Sequence, residues 1–380
     1  MRILLILLIS FFPILGWSQL ADETKAPCND CRQSPLARPT ALSGRMLDMT
    51  GLLGFNSLHS DGCKPQSAIA KQSVMRMVLP AGETASISQV MGRDDLETHR
   101  TLIESIRADK SPPPSTNDIN IWELENCIKN RIENCTISTA YRSSTIVLIG
   151  DGSTALTAFH NLKLHFASHL NKSKNSGQSA IEAGSSLSRI HIPVFLYNSE
   201  GVLIGQPTDI RVHVTDVTPA QIQEARKNLG TKQMASFADS AKLSFSRSVG
   251  KGVKIAAKAP ASGEILRIFG FPDKTRDWQE VGGADSDGSS MFCTVGPTVS
   301  LEIAAQRFNW NVSGLSLQEQ TAYRDRSVFT ASASFGGMSG GAVFNERGEL
   351  VATHSSGSNT PFNSTTANTL IPEISPSTSE

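Results

Sequence analysis

The 380-residue chain has no excess of charge of either sign: 35 Lys and Arg balance 35 Asp and Glu. Basic and acidic residues are interspersed, without blocks of one sign. Such a balance lacks the basic footprint that nucleic-acid binding needs. Internal repeats are absent, and beyond the first residues no apolar run is long enough to span a bilayer. Metal-binding patterns are missing too. His165 and His169 stand four apart, but no His-Glu-x-x-His motif surrounds them, so they read as surface histidines. Asp285-Ser286-Asp287-Gly288 starts like a calcium loop and then breaks the pattern, so it reads as a turn. No metal or organic cofactor is expected. Cysteine is scarce, at six. Cys28-x-x-Cys31 has no second pair of similar spacing, which leaves structural bridging as its reading.

The first feature that is present is a targeting segment. Met1-Arg2 is a minimal positive start, and Ile3–Leu15 is an apolar run of the length of a signal core, shorter than a membrane span. Gly16 and Ser18 supply small residues, which predicts a signal peptide over 1–18 and cleavage near Ser18–Gln19. A secreted or periplasmic location follows, with no membrane contact after cleavage. In that setting an even number of cysteines reads as disulfides. Cys127 and Cys135 are close enough to clamp a local loop; the pairing itself is left open.

Residues 19–60 are polar and turn-rich. Asp94–Lys110 carries Leu96, Leu102, Ile103 and Ile106 near helical spacing, with acidic residues in the first turn, and predicts an amphipathic helix. Pro112, Pro113 and Pro114 then sit in a polar stretch that reads as a stiff exposed linker. A boundary is placed there. Residues 19–118 become a propeptide or accessory segment, 119–370 the main domain and 371–380 a polar tail.

The texture of the main domain is that of short strands. Ser144–Leu162 reads as two apolar runs around a Gly-Asp-Gly-Ser turn, a hairpin signal. Ile190–Asn198, Thr208–Val217, Gly263–Pro272 and Ala342–His354 repeat the pattern, with one helical interruption at Thr218–Gly230. Many short strands between turns predict an all-β sandwich or barrel rather than a parallel α/β sheet.

Gly336, Gly337, Gly340 and Gly341 surround Ser339. Glycine costs conformational entropy on folding, so such a loop exposes backbone for a purpose. A serine hydroxyl needs a base to become nucleophilic, and a histidine base needs a carboxylate to fix its tautomer. An acyl intermediate also needs two N–H donors at its oxyanion. His160 ends the first hairpin, and Asp239 precedes a run of alternating apolar residues. Asp209 and Asp216 also lie between His160 and Ser339 and remain alternatives for the acid.

These residues resemble the motifs of chymotrypsin-like serine proteases. Gly337-Met338-Ser339-Gly340-Gly341 is similar to their G-x-S-G-G loop, and Leu156-Thr157-Ala158-Phe159-His160 to their T-A-A-H box. Asp239-Ser240-Ala241-Lys242-Leu243 is similar to the strand start carrying the triad aspartate, and Gly263 with Phe269–Pro272 to a second-barrel strand. The resemblance spans roughly 136–370 and keeps the family's order of His, Asp and Ser. It implies two antiparallel β-barrels and a serine endopeptidase acting on protein or peptide substrates. It casts His160, Asp239 and Ser339 as triad, and the N–H groups of Gly337 and Ser339 as oxyanion hole. Ser355–Gly357 would lie along the substrate. Two departures are plain. Met338 stands where trypsin-type enzymes have an aspartate that pairs with a new N-terminus, and Ala333 where they have the aspartate selecting Lys or Arg. His354 and Ser334 instead fall at the spacings of the V8-like glutamyl endopeptidases, implying an acidic or small P1 residue. The alternative is an inactive homologue that acts as a binding module.

Overall fold

The computed structural model describes residues 55–56, 62–80, 84–91, 96–108, 121–162 apart from 122, 126, 133–134 and 139–140, 194–211 apart from 206–208, 227–228, 236–272, 291–358 and 364–374. The signal peptide, Cys28 and Cys31, the proline-rich stretch, His165 and His169, Asp216, nearly all of the helix expected at 218–230, the Asp285–Gly288 turn and most of the tail lie outside the described residues.

Strand β1 (Phe55–Asn56) and helix α1 (Lys64–Ser73) lead into β2 (Val74–Pro80). An excursion follows, with β3 (Thr84–Ser86), α2 (Ile87–Met91), α3 (Leu96–Ala108) and β4 (Thr136–Ser138). Then come β5 (Tyr141–Ile149), β6 (Thr154–Thr157), β7 (Phe195–Tyr197), β8 (Leu203–Gly205), β9 (Asp209–Arg211) and β10 (Ala241–Ser244). With β2 they form one antiparallel sheet of order β8-β7-β2-β5-β6-β10-β9. The C-terminal half holds β11 (Ile265–Gly270), β12 (Phe292–Val299), α4 (Leu301–Phe308), α5 (Leu317–Arg326), β13 (Ser327–Thr330), β14 (Ala342–Phe344), β15 (Leu350–Ser358) and β16 (Thr365–Leu370). Its sheet runs β12-β11-β14-β15-β16-β13, and β13 pairs back onto β12 through Thr298↔Thr330 and Val299↔Phe329. Six strands thereby close into a barrel.

The first sheet curls around its own core. Alternate residues of a strand share a face. Met75, Met77 and Leu79 of β2, Ile146 and Leu148 of β5, Leu196 of β7, and Ala241 and Leu243 of β10 meet in one buried cluster. Residues spread across one face of a flat sheet would not converge in this way. The intervening residues Val74, Val147, Ile149 and Leu156 pack instead into the core of the second barrel, with Phe269, Phe344 and Met338. That double burial is why Ile146–Ile149 is apolar with no alternation. The all-β, two-barrel expectation therefore holds.

The β5–β6 turn needs its glycines. Gly150 and Gly152 have φ of +62° and +83°, and a Cβ on Gly152 would collide with the Gly250 carbonyl. Asp151 Oδ1 accepts from the Ser153 N–H at 2.9 Å and closes the turn.

The boundary expected near residue 118 falls after two elements of the barrels. Helix α1 and β2 belong to the barrels: β2 is a central strand, paired with β5 along its length and with β7 on its other side. Cys63 is bonded to Cys293 on β12, 230 residues away in sequence. Gln66 Nε2 donates to the Glu346 carbonyl at 2.8 Å, and Arg267 Nε to the Gly62 carbonyl at 2.5 Å. Strand pairing is non-local, so β2 could join a sheet on the far side of a proline-rich stretch. The described residues between β2 and β5 form an excursion. It has its own small core of Ile87, Leu102, Ile103, Leu124 and Ile137, and its own Cys127–Cys135 disulfide. The amphipathic helix expected in it is α3.

Candidate active site

Register brings the histidine and the acid together. Strand β6 pairs antiparallel with β10, with Thr157 opposite Ala241. His160, three residues beyond Thr157, and Asp239, two before Ala241, thus leave the same end of the ladder. Each sits at a single helical turn, Phe159–Asn161 and Ser236–Ala238. His160 Nδ1 and Asp239 Oδ2 are 2.7 Å apart, and the His160 backbone N–H donates to Oδ1 at 2.9 Å. The Ser355 hydroxyl donates to Oδ2 at 2.6 Å. Thr369 on β16 donates to the Ser236 and Asp239 carbonyls, which ties this turn to the second barrel.

Asp239 is fully buried, whereas the His160 side chain is 34% exposed. Burial alone would push the Asp239 carboxyl up. The adjacent His160 charge and the bonds from His160 and Ser355 outweigh it and hold the group below the usual carboxylate value. An ionised carboxylate only accepts, so His160 carries its proton on Nδ1. Asp209 lies on β9 opposite Ser244, at the far end of β10 from this pair. Asp239 is the acid that the described hydrogen bonds join to His160.

Gly337, two residues before Ser339, has φ +87°, and Gly340, directly after it, has φ +86°. A Cβ on Gly340 would strike the Thr145 carbonyl and Thr157 Oγ1. The loop is fixed peptide by peptide. The Gly337 carbonyl accepts from Thr145 Oγ1 at 2.9 Å, and the Met338 N–H donates to Phe335 at 3.1 Å. The Met338 carbonyl accepts from the Gly341 N–H at 2.8 Å. The Ser339 carbonyl accepts from the Thr145 N–H and from Asn161 Nδ2, both at 3.0 Å, and the Gly340 N–H donates to His354 at 2.7 Å. Among the described residues the N–H groups of Gly337 and Ser339 have no protein acceptor. The Ser339 hydroxyl donates to the Ser355 carbonyl at 3.3 Å. Met338, at the position where the sequence departs from the trypsin-type aspartate, is fully buried in the second core and packs against Gly270.

Ala333 and Ser334 are buried beside this loop. A Cβ on Gly357 would run into Ser334 Oγ, so the two residues face each other closely. His354 is buried, and its Nδ1 is 2.9 Å from Asn368 Oδ1. Asn368 Nδ2 donates to the Val328 carbonyl and to Thr366 Oγ1, which turns its oxygen toward His354. His354 Nδ1 is therefore the donor. Burial, with His160 nearby, pushes the His354 pKa down to about 4. An unfolded histidine takes up a proton near pH 6.5, so stability is complete above that value and falls as pH drops toward about 4. The expected loss is on the order of 3 kcal/mol. Urea unfolding of wild type and His354→Gln across pH 7 to 4.5 checks this: the variant should show a flatter slope, and identical slopes would contradict it.

Strand β15 outruns β14. Their ladder ends at Ala342↔Thr353, while β16 stays paired along Ser356–Ser358. Ser355–Ser358 thus have a strand on one edge and, among the described residues, none on the other. Sequence reading placed Ser355 with the substrate; the structure directs its hydroxyl to Asp239 and its carbonyl to Ser339. It missed Thr145, Asn161 and Asn368. Thr145 ends a run of three hydroxyl residues, Ser143-Ser144-Thr145, ahead of Ile146–Ile149, so nothing in the sequence singles it out.

No family model and no curated protein matches the chain. Solved structures do. The chain is similar to a Glu endopeptidase in complex with MPD, at 15% identity and TM-score 0.33, covering 61% of this chain and 82% of that one. It is similar to the Rv3671c protease from M. tuberculosis in its active form, at 11% identity and TM-score 0.35, covering 84% of each chain. It is similar to the serine endoprotease from Yersinia pestis, at 13% identity and TM-score 0.30, covering 61% of this chain and 53% of that one.

Proposed function

We propose that the chain is a chymotrypsin-like serine endopeptidase, exported by a signal peptide that is then removed. The observation that carries this reading is the buried Asp239 carboxylate bonded to His160 Nδ1, on the barrel wall to which the Ser339 loop is fastened. Ser339 Oγ leaves the Ser355 carbonyl, gives its proton to His160 Nε2 and attacks the scissile carbonyl. The open N–H groups of Gly337 and Ser339 receive the oxyanion. His160 then protonates the leaving amine, and water repeats the sequence on the acyl-enzyme. Asp239 holds the ring and offsets its transient charge. The substrate lies as an added strand along the free edge of Ser355–Gly357. The chemistry uses no metal or organic cofactor.

The P1 side chain faces Ala333, Ser334 and His354, in the manner of the V8-like branch. Ser334 against Gly357 narrows the site, which favours small residues. A P1 carboxylate requires His354 to donate from Nε2, and Nδ1 already carries the proton shared with Asn368. Binding an acidic residue is thus coupled to proton uptake. Peptides differing only at P1 should be cleaved faster after Glu and Ala than after Leu, with the Glu:Ala ratio rising from pH 8 to pH 6. Equal rates across the panel, or a falling ratio, would contradict this specificity; no cleavage of any peptide would contradict the protease reading itself.

A further inference from the structure

Thr145 lies on β5 of the first barrel, fully buried, yet its polar groups serve the nucleophile loop of the second. Oγ1 donates to the Gly337 carbonyl at 2.9 Å and accepts the Phe271 N–H at 2.9 Å. Its own N–H donates to the Ser339 carbonyl at 3.0 Å, and its carbonyl accepts from Thr157 Oγ1 at 2.8 Å. The side chain therefore joins three segments: β5, the end of β11 and the glycine loop.

We infer that Thr145 is a positioning residue for the oxyanion site, its hydroxyl holding the Gly337–Met338 peptide in the orientation that leaves the Gly337 N–H open. This rests on the protease reading above. Glycine has wide torsional freedom, so Gly337 alone does not fix its own N–H. Pinning the next peptide at both ends, its carbonyl by Thr145 and its N–H by Phe335, leaves that N–H a single torsion. Without the hydroxyl, the Gly337 carbonyl is left with no donor from β5 and the peptide is free to turn. The Phe271 N–H at the barrel junction also loses its acceptor. An oxyanion donor acts on the transition state and little on the ground state. A hydroxyl that merely filled space or tied strands together would not separate those two.

The test uses the full mature protein, with rates expressed per active site titrated by a fluorophosphonate so that any unfolded fraction drops out. Thr145→Val keeps the shape and removes the hydroxyl. Its kcat should fall about 10- to 100-fold with KM within about twofold, as for a weakened oxyanion donor. Thr145→Ser, which keeps the hydroxyl, should recover kcat to within about threefold of wild type. A peptide aldehyde, which forms a tetrahedral adduct at Ser339, should lose affinity in step with kcat, and a product-like peptide acid should not. Should Thr145→Val fail to fold, Thr145→Ala is read in the same way. A valine or alanine variant with wild-type kcat, a loss confined to KM, or a serine variant as slow as valine would overturn the inference. A folded wild type that takes no fluorophosphonate would overturn the protease reading, and the inference with it.

Discussion

Ser339→Ala should lower kcat about 10⁶-fold while leaving the protein folded, the size of loss seen when a triad nucleophile is removed. The effect is large because nothing else at the site can form the acyl bond. His160 without a hydroxyl to deprotonate has no productive step, and the oxyanion donors then act only on direct attack by water. The loop itself should survive. It is held by the backbone of Gly337 to Gly341, by Thr145 and by Asn161, whereas the serine hydroxyl makes a single 3.3 Å bond to the Ser355 carbonyl. A melting temperature within a few degrees of wild type is expected, since losing one long bond costs about 1 kcal/mol or less. Steady-state kinetics on a peptide substrate together with a thermal melt reads both. Retained turnover in a folded variant would remove Ser339 from the mechanism.

Asp239→Asn should lower kcat about 10⁴-fold through the wrong tautomer rather than lost geometry. The carboxylate accepts three bonds: the His160 N–H, His160 Nδ1 and the Ser355 hydroxyl. Asparagine can keep the backbone bond through its oxygen. Its NH₂ then faces Nδ1, which must become an acceptor and leave the proton on Nε2. A ring protonated at Nε2 cannot take the proton of Ser339. The neutral side chain also no longer offsets the imidazolium that forms during attack. KM should stay close to wild type, because Asp239 is buried and touches the substrate edge only through the Ser355 side chain. Kinetics against pH should show the remaining rate rising with hydroxide, which substitutes for the missing base. A variant with near wild-type kcat would mean that His160 does not act as the base.

The fold was legible where periodicity and chemistry coincide. The hairpin β5–β6 announced itself by two apolar runs around Gly150 and Gly152, and α3 by the spacing of Leu96, Leu102 and Ile103. The glycines around Ser339 pointed to a backbone whose N–H groups matter, and the register of β6 on β10 places His160 beside Asp239. Strand β2 was harder. Val74–Pro80 is a short run interrupted by Arg76, and Pro112, Pro113 and Pro114 further along resemble a domain boundary that would set it apart. Its partners are distant in sequence, so nothing local reveals that it is central. Helices α4 and α5 were missed, although α5 carries a legible start: Ser316 and Glu319 form a capping box. Trp310, Tyr323, Phe237 and Phe329 pack there on the turn that precedes Asp239. Thr145 and Asn368 were invisible for another reason. The role of Thr145 exists only once strands from two barrels are adjacent, that of Asn368 only once β13, β15 and β16 meet within one barrel, and no spacing in the sequence encodes either.

The most direct measurement is intact mass of the mature protein after treatment with a fluorophosphonate, beside Ser339→Ala treated in parallel. The probe reacts with a serine only where a base and an oxyanion site activate it. The account predicts a single adduct on the wild type, mapped to the peptide that contains Ser339, and none on the variant. A folded wild type that takes no label, or a variant that labels equally, would contradict it.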